Sequence, residues 1–205
     1  LRESMVLGTA GLTAGLSVKK LIDAGLTPEN GDILVTGATG GVGVLAIALL
    51  IKLGFSVTAS TGKASEIPFL QALGAQVIDR VELSEASSKP LLRERWGGAI
   101  DVVGGETLVN VLKQIKNGGS VAACGLVESP SIALTVLPFI LRGVNLLGID
   151  SVEIPLATKR NVWNKFAGDW KIDNLEDLVT EISMAELSDK LKLILAGNAR
   201  GRYVL

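Results

Sequence analysis

The sequence predicts an α/β protein with a doubly wound parallel sheet, and three observations carry that expectation. Short apolar strand signals alternate with helix signals along most of the chain, which calls for a parallel sheet covered on both faces. One apolar run, Ile33-Leu-Val, passes through the turn Thr36-Gly-Ala-Thr-Gly-Gly-Val-Gly43 straight into an apolar helix. Six such strands in this sequence fit the order 3-2-1-4-5-6, in which the sheet reverses direction beside its first strand.

The elements follow in order. A helix is expected over about 3–24, ended by Gly25 with Pro28 beyond it. Gly8, Gly11 and Gly15 on that helix predict close packing. Strand 33–36, helix 42–53 and strand 56–60 come next, then a helix over 64–73 stopped by Gly74, and a short strand at 76–79. The segment 81–96 is polar and irregular, with Pro90 expected to start a helical turn. Strand 99–103, helix 106–116, strand 119–124, a helical segment at 135–142 and strand 145–149 complete the sheet. The character then changes. Residues 151–205 read as a helix, a short strand at 181–183, a helix over 185–196 and a terminal strand 202–205. They either pack on the sheet or belong to a second domain. The expected division is 1–151 and 152–205.

Composition removes several function classes. A formal net charge of −1 leaves no electrostatic footprint for nucleic acid. Histidine is absent and Cys124 is the only cysteine, so neither an ordinary zinc site nor a Ser-His-Asp or Cys-His pair is available from this sequence. The lone cysteine also excludes an internal disulfide and fits a reducing, cytoplasmic compartment. No uninterrupted apolar run reaches about 18 residues, so no membrane-spanning helix is expected. The start, Leu1-Arg2-Glu3-Ser4, is neither a signal peptide nor a translation start, and the chain reads as part of a longer protein.

The glycine-rich turn reads as Ala38-x-Gly40-x-x-Gly43 on the dinucleotide-binding template. Its glycines allow a tight reversal, approach of the backbone to a pyrophosphate and close helix–strand packing. The N–H groups at Val42–Leu45 then face the anion. The second strand bears on cofactor choice. NAD sites place a carboxylate at its end to bind the ribose 2′-OH, whereas here the end reads Ser60-Thr61-Gly62-Lys63 and the first acid is Glu66. Hydroxyls and a cation without a carboxylate favour a 2′-phosphate, hence NADPH. Cys124 reads as a buried free thiol with no base nearby, and Asp101 as a local cap or pair. Trp96, Trp163 and Trp170 read as packing residues, and Tyr203 lies on an apolar terminal strand.

Five motifs in order, Gly8-Thr-Ala-Gly-Leu-Thr-Ala14, Val35-Thr-Gly-Ala-Thr-Gly-Gly-Val-Gly43, Ala123-Cys-Gly-Leu126, Pro138-Phe-Ile-Leu-Arg-Gly143 and Gly148-Ile-Asp-Ser151, resemble the zinc-free quinone oxidoreductases of the medium-chain dehydrogenase/reductase superfamily. Within them the chain is similar to the acrylyl-CoA reductase group. The resemblance implies a cofactor role for Gly40, Gly41, Val42 and Gly43 at the pyrophosphate. It places Ser60, Thr61, Gly62 and Lys63 at the 2′-phosphate, and Val102, Val103 and Gly104 (with Gly105) under the adenosine side. Cys124, Gly125 and Leu126 with Ile149, Asp150 and Ser151 match backbone contacts to the nicotinamide, and Arg202 matches a Gly-Arg motif reaching the cofactor. Two departures stand out: Ala38 replaces the first glycine of the fingerprint, and Lys63 stands where relatives often carry another residue.

The resemblance also implies an N-terminal GroES-like catalytic domain not represented in this sequence, with 152–205 as its return segment. No catalytic residue is therefore assigned, and the isolated chain is expected to be inactive. The implied reaction is hydride transfer from NADPH to an activated alkene: an enoyl thioester such as acryloyl-CoA, an enone or a quinone. A homodimer through about 144–150 is implied as well. A short-chain dehydrogenase would need a Tyr-x-x-x-Lys pair, and Tyr203 is followed by only two residues. A nucleotide-binding module with a structural or sensory role and no turnover is the alternative from another class.

Overall fold

The computed structural model describes residues 1–205. Helix α1 (Arg2–Asp23) opens the chain and is kinked at Gly8, whose φ of 49° and ψ of −152° suit glycine alone. The kink makes Thr9 the start of a second helical segment. By length and composition alone α1 could cross a membrane, which the reading from uninterrupted runs did not anticipate. Its apolar character has another cause: 61% of that window is buried, packed against the sheet and its neighbouring helix.

Strands β1 (Ile33–Val35), β2 (Val57–Thr61), β3 (Gln76–Asp79), β4 (Trp96–Asp101), β5 (Ile115–Ala123) and β6 (Asn145–Gly148) form one sheet in the order β3-β2-β1-β4-β5-β6. Every pairing is parallel, as expected. Helices α2 (Gly41–Lys52), α3 (Ile67–Ala72), α4 (Val81–Ser84), α5 (Gly105–Gln114) and α6 (Leu137–Arg142) lie between the strands in sequence. The strand period of two sorts the core. Ile33, Val35, Ile100 and Ala122 join the core under α1 and α2, while Leu34, Ala99 and Val121 face the core under α5. Both faces are covered, so β1 is buried at every position.

Three local expectations are corrected. Pro90 starts no helical turn: the helix of this stretch is α4, docked by fully buried Leu83, and the chain beyond it has no regular structure until β4. Backbone bonds from Leu92 N–H to Lys113 O and from Arg95 N–H to Gln114 O tie that irregular stretch to the end of α5. The helix expected over 64–73 begins as a 3-10 turn at Ala64–Glu66 and becomes α-helical only at Ile67, with Pro68 in its first turn. Strands β4 and β5 start three and four residues early. Gly97 and Gly98, outside the expected strand, sit inside β4, where Gly97 packs against the Asn30 backbone.

Beyond the sheet, α7 (Leu156–Ala167) crosses α1 at Gly15. A Cβ there would meet Val162 Cγ1 at 2.5 Å and Phe166 Cε2 at 2.8 Å, so small size is what brings the helices together. Val162, Phe166, Trp170, Ile172, Leu175 and Leu178 thereby share the core of α1 and α2. The last part is thinner. β7 (Val179–Glu181) and β8 (Arg202–Val204) form a two-stranded parallel sheet, joined through α8 (Leu187–Leu195), a helix with no buried residue. Strand β7 lies two residues before its expected position, and β8 has found it as a partner.

Candidate functional site

The sheet reverses direction between β1 and β4, and the loops at the carboxyl ends of the strands meet outside that point. In open α/β sheets this crevice is where ligands bind. Each predicted site segment ends or follows a strand: the turn after β1, 60–63 at the end of β2 (Ser60 and Thr61 still in the strand), 102–104 after β4, 124–126 after β5 and 149–151 after β6.

The turn after β1 is held from both sides. Ala38 N–H donates to Ser60 O, Gly40 N–H to Gly37 O, and a Cβ on Gly43 would lie 2.8 Å from Ala38 Cα. Gly43 is therefore the crossing point of helix and turn, the packing role expected of it. α2 starts at Gly41 with Gly40 as cap and no side-chain cap, which leaves its first N–H groups facing the crevice. The neighbouring helix differs. Glu128 accepts the N–H groups of Glu106 and Thr107, both at 3.2 Å, so the start of α5 already holds an internal carboxylate.

Asp101 joins the two central loops. Its buried carboxylate accepts the Thr36 hydroxyl at 2.7 Å and the Gly104 N–H at 2.8 Å, and Val102 N–H donates to Thr36 Oγ1. Burial pushes its pKa up, opposed by those hydrogen bonds. Asp101 thus caps and pairs locally, and it positions Val102, Val103 and Gly104.

Arg202 reaches the same place from β8. Its Nε donates to Val6 O at 3.0 Å, and its Nη atoms lie 3.0 and 3.1 Å from where a Cβ would stand on Gly8 and Gly41. The guanidinium sits between the kink of α1 and the start of α2. It has no carboxylate partner, and burial alone pushes its pKa down. Gly201 N–H, donating to Thr39 O at 2.9 Å, fastens the preceding residue to the turn. An open helix N-terminus beside a guanidinium without a carboxylate partner is an arrangement whose charge suits an anion.

At the end of β2, Ser60 and Thr61 are buried, and Thr61 Oγ1 accepts the Lys63 N–H at 3.1 Å. The Thr61 hydroxyl thus shapes the turn. Lys63 Nζ donates to Ala199 O, which draws the C-terminal segment over this corner. Partial burial lowers the Lys63 pKa; nearby Glu66 raises it and Arg80 lowers it further. Arg200, in the same segment, lies 3.5 Å from Glu66 and stacks over Phe69. Arg80 escaped the sequence reading. The only signal for it was the expected adjacency of the second and third strands.

At the far end Cys124 is half-buried with its thiol on Asp101 O, and desolvation pushes its pKa up to about 11. Gly125 packs against the Val102 backbone, while Leu126 is exposed. Ile149 N–H donates to Ala123 O, and Asp150 accepts the N–H groups of Val152 and Glu153, which hold its pKa down. The Ser151 and Thr13 hydroxyls meet at 2.9 Å. Thr13, inside the Gly8–Ala14 motif, is a second residue the reading did not single out. Trp96 and Trp170 are buried, and Tyr203 packs beneath Lys190.

The family model described as zinc-binding dehydrogenase matches residues 41–168. The chain belongs to this family. It is 46% identical to the acrylyl-CoA reductase AcuI of Ruegeria pomeroyi over all of this chain and 62% of that protein. The yhdH oxidoreductase from Salmonella enterica, solved in complex with NADP, superposes with a TM-score of 0.93 at 43% identity, covering 98% of this chain and 61% of that one. The Bacillus subtilis protein yhfP, solved with NAD bound, gives 0.94 at 47% identity, covering 98% and 62%. Relatives at 44–47% identity over the whole chain are named quinone oxidoreductase and acrylyl-CoA reductase, consistent with a zinc-free medium-chain dehydrogenase/reductase. The chain spans about three fifths of their length. The zinc in the family's description does not fit this chain, which has no histidine and no group of three potential ligands.

Proposed function

We propose that this chain is the cofactor-binding part of an NADPH-dependent oxidoreductase that reduces the C=C bond of an activated alkene. Acryloyl-CoA, an enone or a quinone is the class of acceptor. The Arg202 guanidinium beside the open start of α2 carries the reading, because it is a half-buried cation without a carboxylate partner, which suits an anionic ligand. The similarity to AcuI supports the acceptor class.

In this reading Gly40, Gly41, Val42 and Gly43 present their backbone to the pyrophosphate and Arg202 neutralises it. Ser60, Thr61, Gly62 and Lys63 form the 2′-phosphate corner. Val102, Val103 and Gly104, held by Asp101, lie under the adenosine side. Cys124, Gly125, Leu126, Ile149, Asp150 and Ser151 offer backbone along the nicotinamide. The cofactor supplies the hydride; these residues supply its position and the field around it. Residues 1–151 are the nucleotide domain, and 152–205 return toward a catalytic domain that carries the substrate contacts. The lone Cys124 fits a reducing cytoplasm.

The cofactor assignment is tested by calorimetric titration of NADPH and NADH. A charge-assisted hydrogen bond contributes about 1.5–3 kcal/mol, so Lys63→Ala should weaken NADPH about ten- to a hundredfold and leave NADH nearly unchanged. Equal binding of both cofactors to the unmodified protein, or equal loss of both, defeats the assignment.

We also infer a twofold partner along β6. That strand is the sheet edge, and Leu146 on it is exposed, as are Ile140 and Leu141 on α6. Sedimentation equilibrium should show a dimer that Leu146→Lys converts to monomer. A monomer before the substitution removes the inference.

A further inference from the structure

We propose that Arg80, at the carboxyl end of β3, is the second cation of the 2′-phosphate corner and, with Lys63, sets the preference for NADPH over NADH. This rests on the reading of residues 60–63 as that corner. The topology puts Arg80 there. β3 pairs with β2 in parallel, with Ser60 opposite Ile78 and Thr61 opposite Asp79, so Arg80 comes level with Gly62. Its own N–H donates to Thr61 O at 3.1 Å, which continues the pairing one step and holds its backbone in place.

The side chain then lies across Gly62. A Cβ at that position would stand 2.8 Å from Arg80 Cδ and 2.9 Å from Cζ, so the missing side chain is what lets the guanidinium lie over the turn. Glycine at 62 thus has a reason besides flexibility. It clears the space over the turn beside Lys63, and Arg80 is near enough that its charge helps to lower the Lys63 pKa.

The neighbouring acids leave Arg80 unneutralised. Asp79 accepts the Val81 N–H at 2.9 Å and caps α4. Glu82 pairs with Arg95 at 3.1 Å, and Glu66 lies against Arg200. Two cations are therefore gathered at one turn, and the one acid in that turn's helix faces another arginine. The ligand matching this pattern carries close to two negative charges on a tetrahedral group. A phosphate monoester does, having a charge of about −1.5 to −2 near neutral pH. Lys63 spends one of its three donors on Ala199 O and keeps two. The planar fork of Arg80 supplies the paired N–H groups that phosphate accepts best.

Calorimetric titration of the protein with NADPH and NADH, comparing Arg80→Gln, Arg80→Lys and Lys63→Ala, tests this. Arg80→Gln should weaken NADPH about tenfold while NADH stays within about twofold, and Arg80→Lys should recover part of the loss. Unchanged NADH binding also shows that the variant is folded. If Lys63→Ala weakens NADPH and Arg80→Gln does not, Arg80 is a solvated surface residue and the corner belongs to Lys63 alone. If Arg80→Gln weakens both cofactors alike, its role is structural and the proposal falls. If neither variant separates NADPH from NADH, the assignment of 60–63 itself falls.

Discussion

Strands β1 and β8 are both three residues long, yet every residue of β1 is buried and every residue of β8 is only half-buried. β1 has a partner on each side and helices over both faces, whereas β8 has β7 on one side only. The two are kept in place differently. β1 is held by its core. β8 is fastened at one end, where Arg202 donates to Val6 O, Gly201 to Thr39 O, and Lys63 to Ala199 O just before it. All of those ties lie beside the start of α2, the turn after β1 or the end of β2. The end of the chain is thus tied to the body there by polar bonds, with little apolar burial of its own strand.

The largest expected difference between the two regions is in core substitution. Leu49→Ala, at a fully buried position of α2, should cost about 2–5 kcal/mol, whereas Ile194→Ala, at a half-exposed position of α8, should stay within about 0.5 kcal/mol. Chemical denaturation measures both. Comparable losses would mean that α8 is covered by something absent from this fold.

A smaller effect, visible without mutation, is amide exchange in the unliganded protein. Residues 33–35 and 121–123 should exchange only on global unfolding, and 202–204 should exchange through local opening. Equal protection of both would erase the contrast and show that the two-stranded sheet is as firmly held as the six-stranded one.

Much of this was legible beforehand, for identifiable reasons. The strand order and the turn at Gly40–Gly43 were readable because an apolar strand, glycines and an apolar helix in direct succession leave few alternatives. Pro90 misled because proline marks a permitted helix start without requiring one, and Lys113 and Gln114 offered the chain carbonyls to run against instead. Gly97 and Gly98 hid the start of β4 because their strand role depends on neighbours, the Asn30 backbone for Gly97 and Leu26 and Ser120 for Gly98, that only folding brings close. The site divides in the same way. Lys63 stood out by the absence of a carboxylate in its own turn, whereas Arg80 belongs to a different strand and gained its place only when β3 paired with β2.

By itself the sequence determined the alternation of strands and helices, the buried faces of the strands and the phosphate-type turn. Those follow from apolar period and from glycine geometry, which act over a few residues. Tertiary structure alone decided that α7 would share the core of α1 through Gly15, that β8 would pair with β7, and that the Arg202 guanidinium would stand without an acid between Gly8 and Gly41. These are meetings of segments up to 196 residues apart. Their geometry is set by how closely helices and strands pack, and no local pattern encodes that distance.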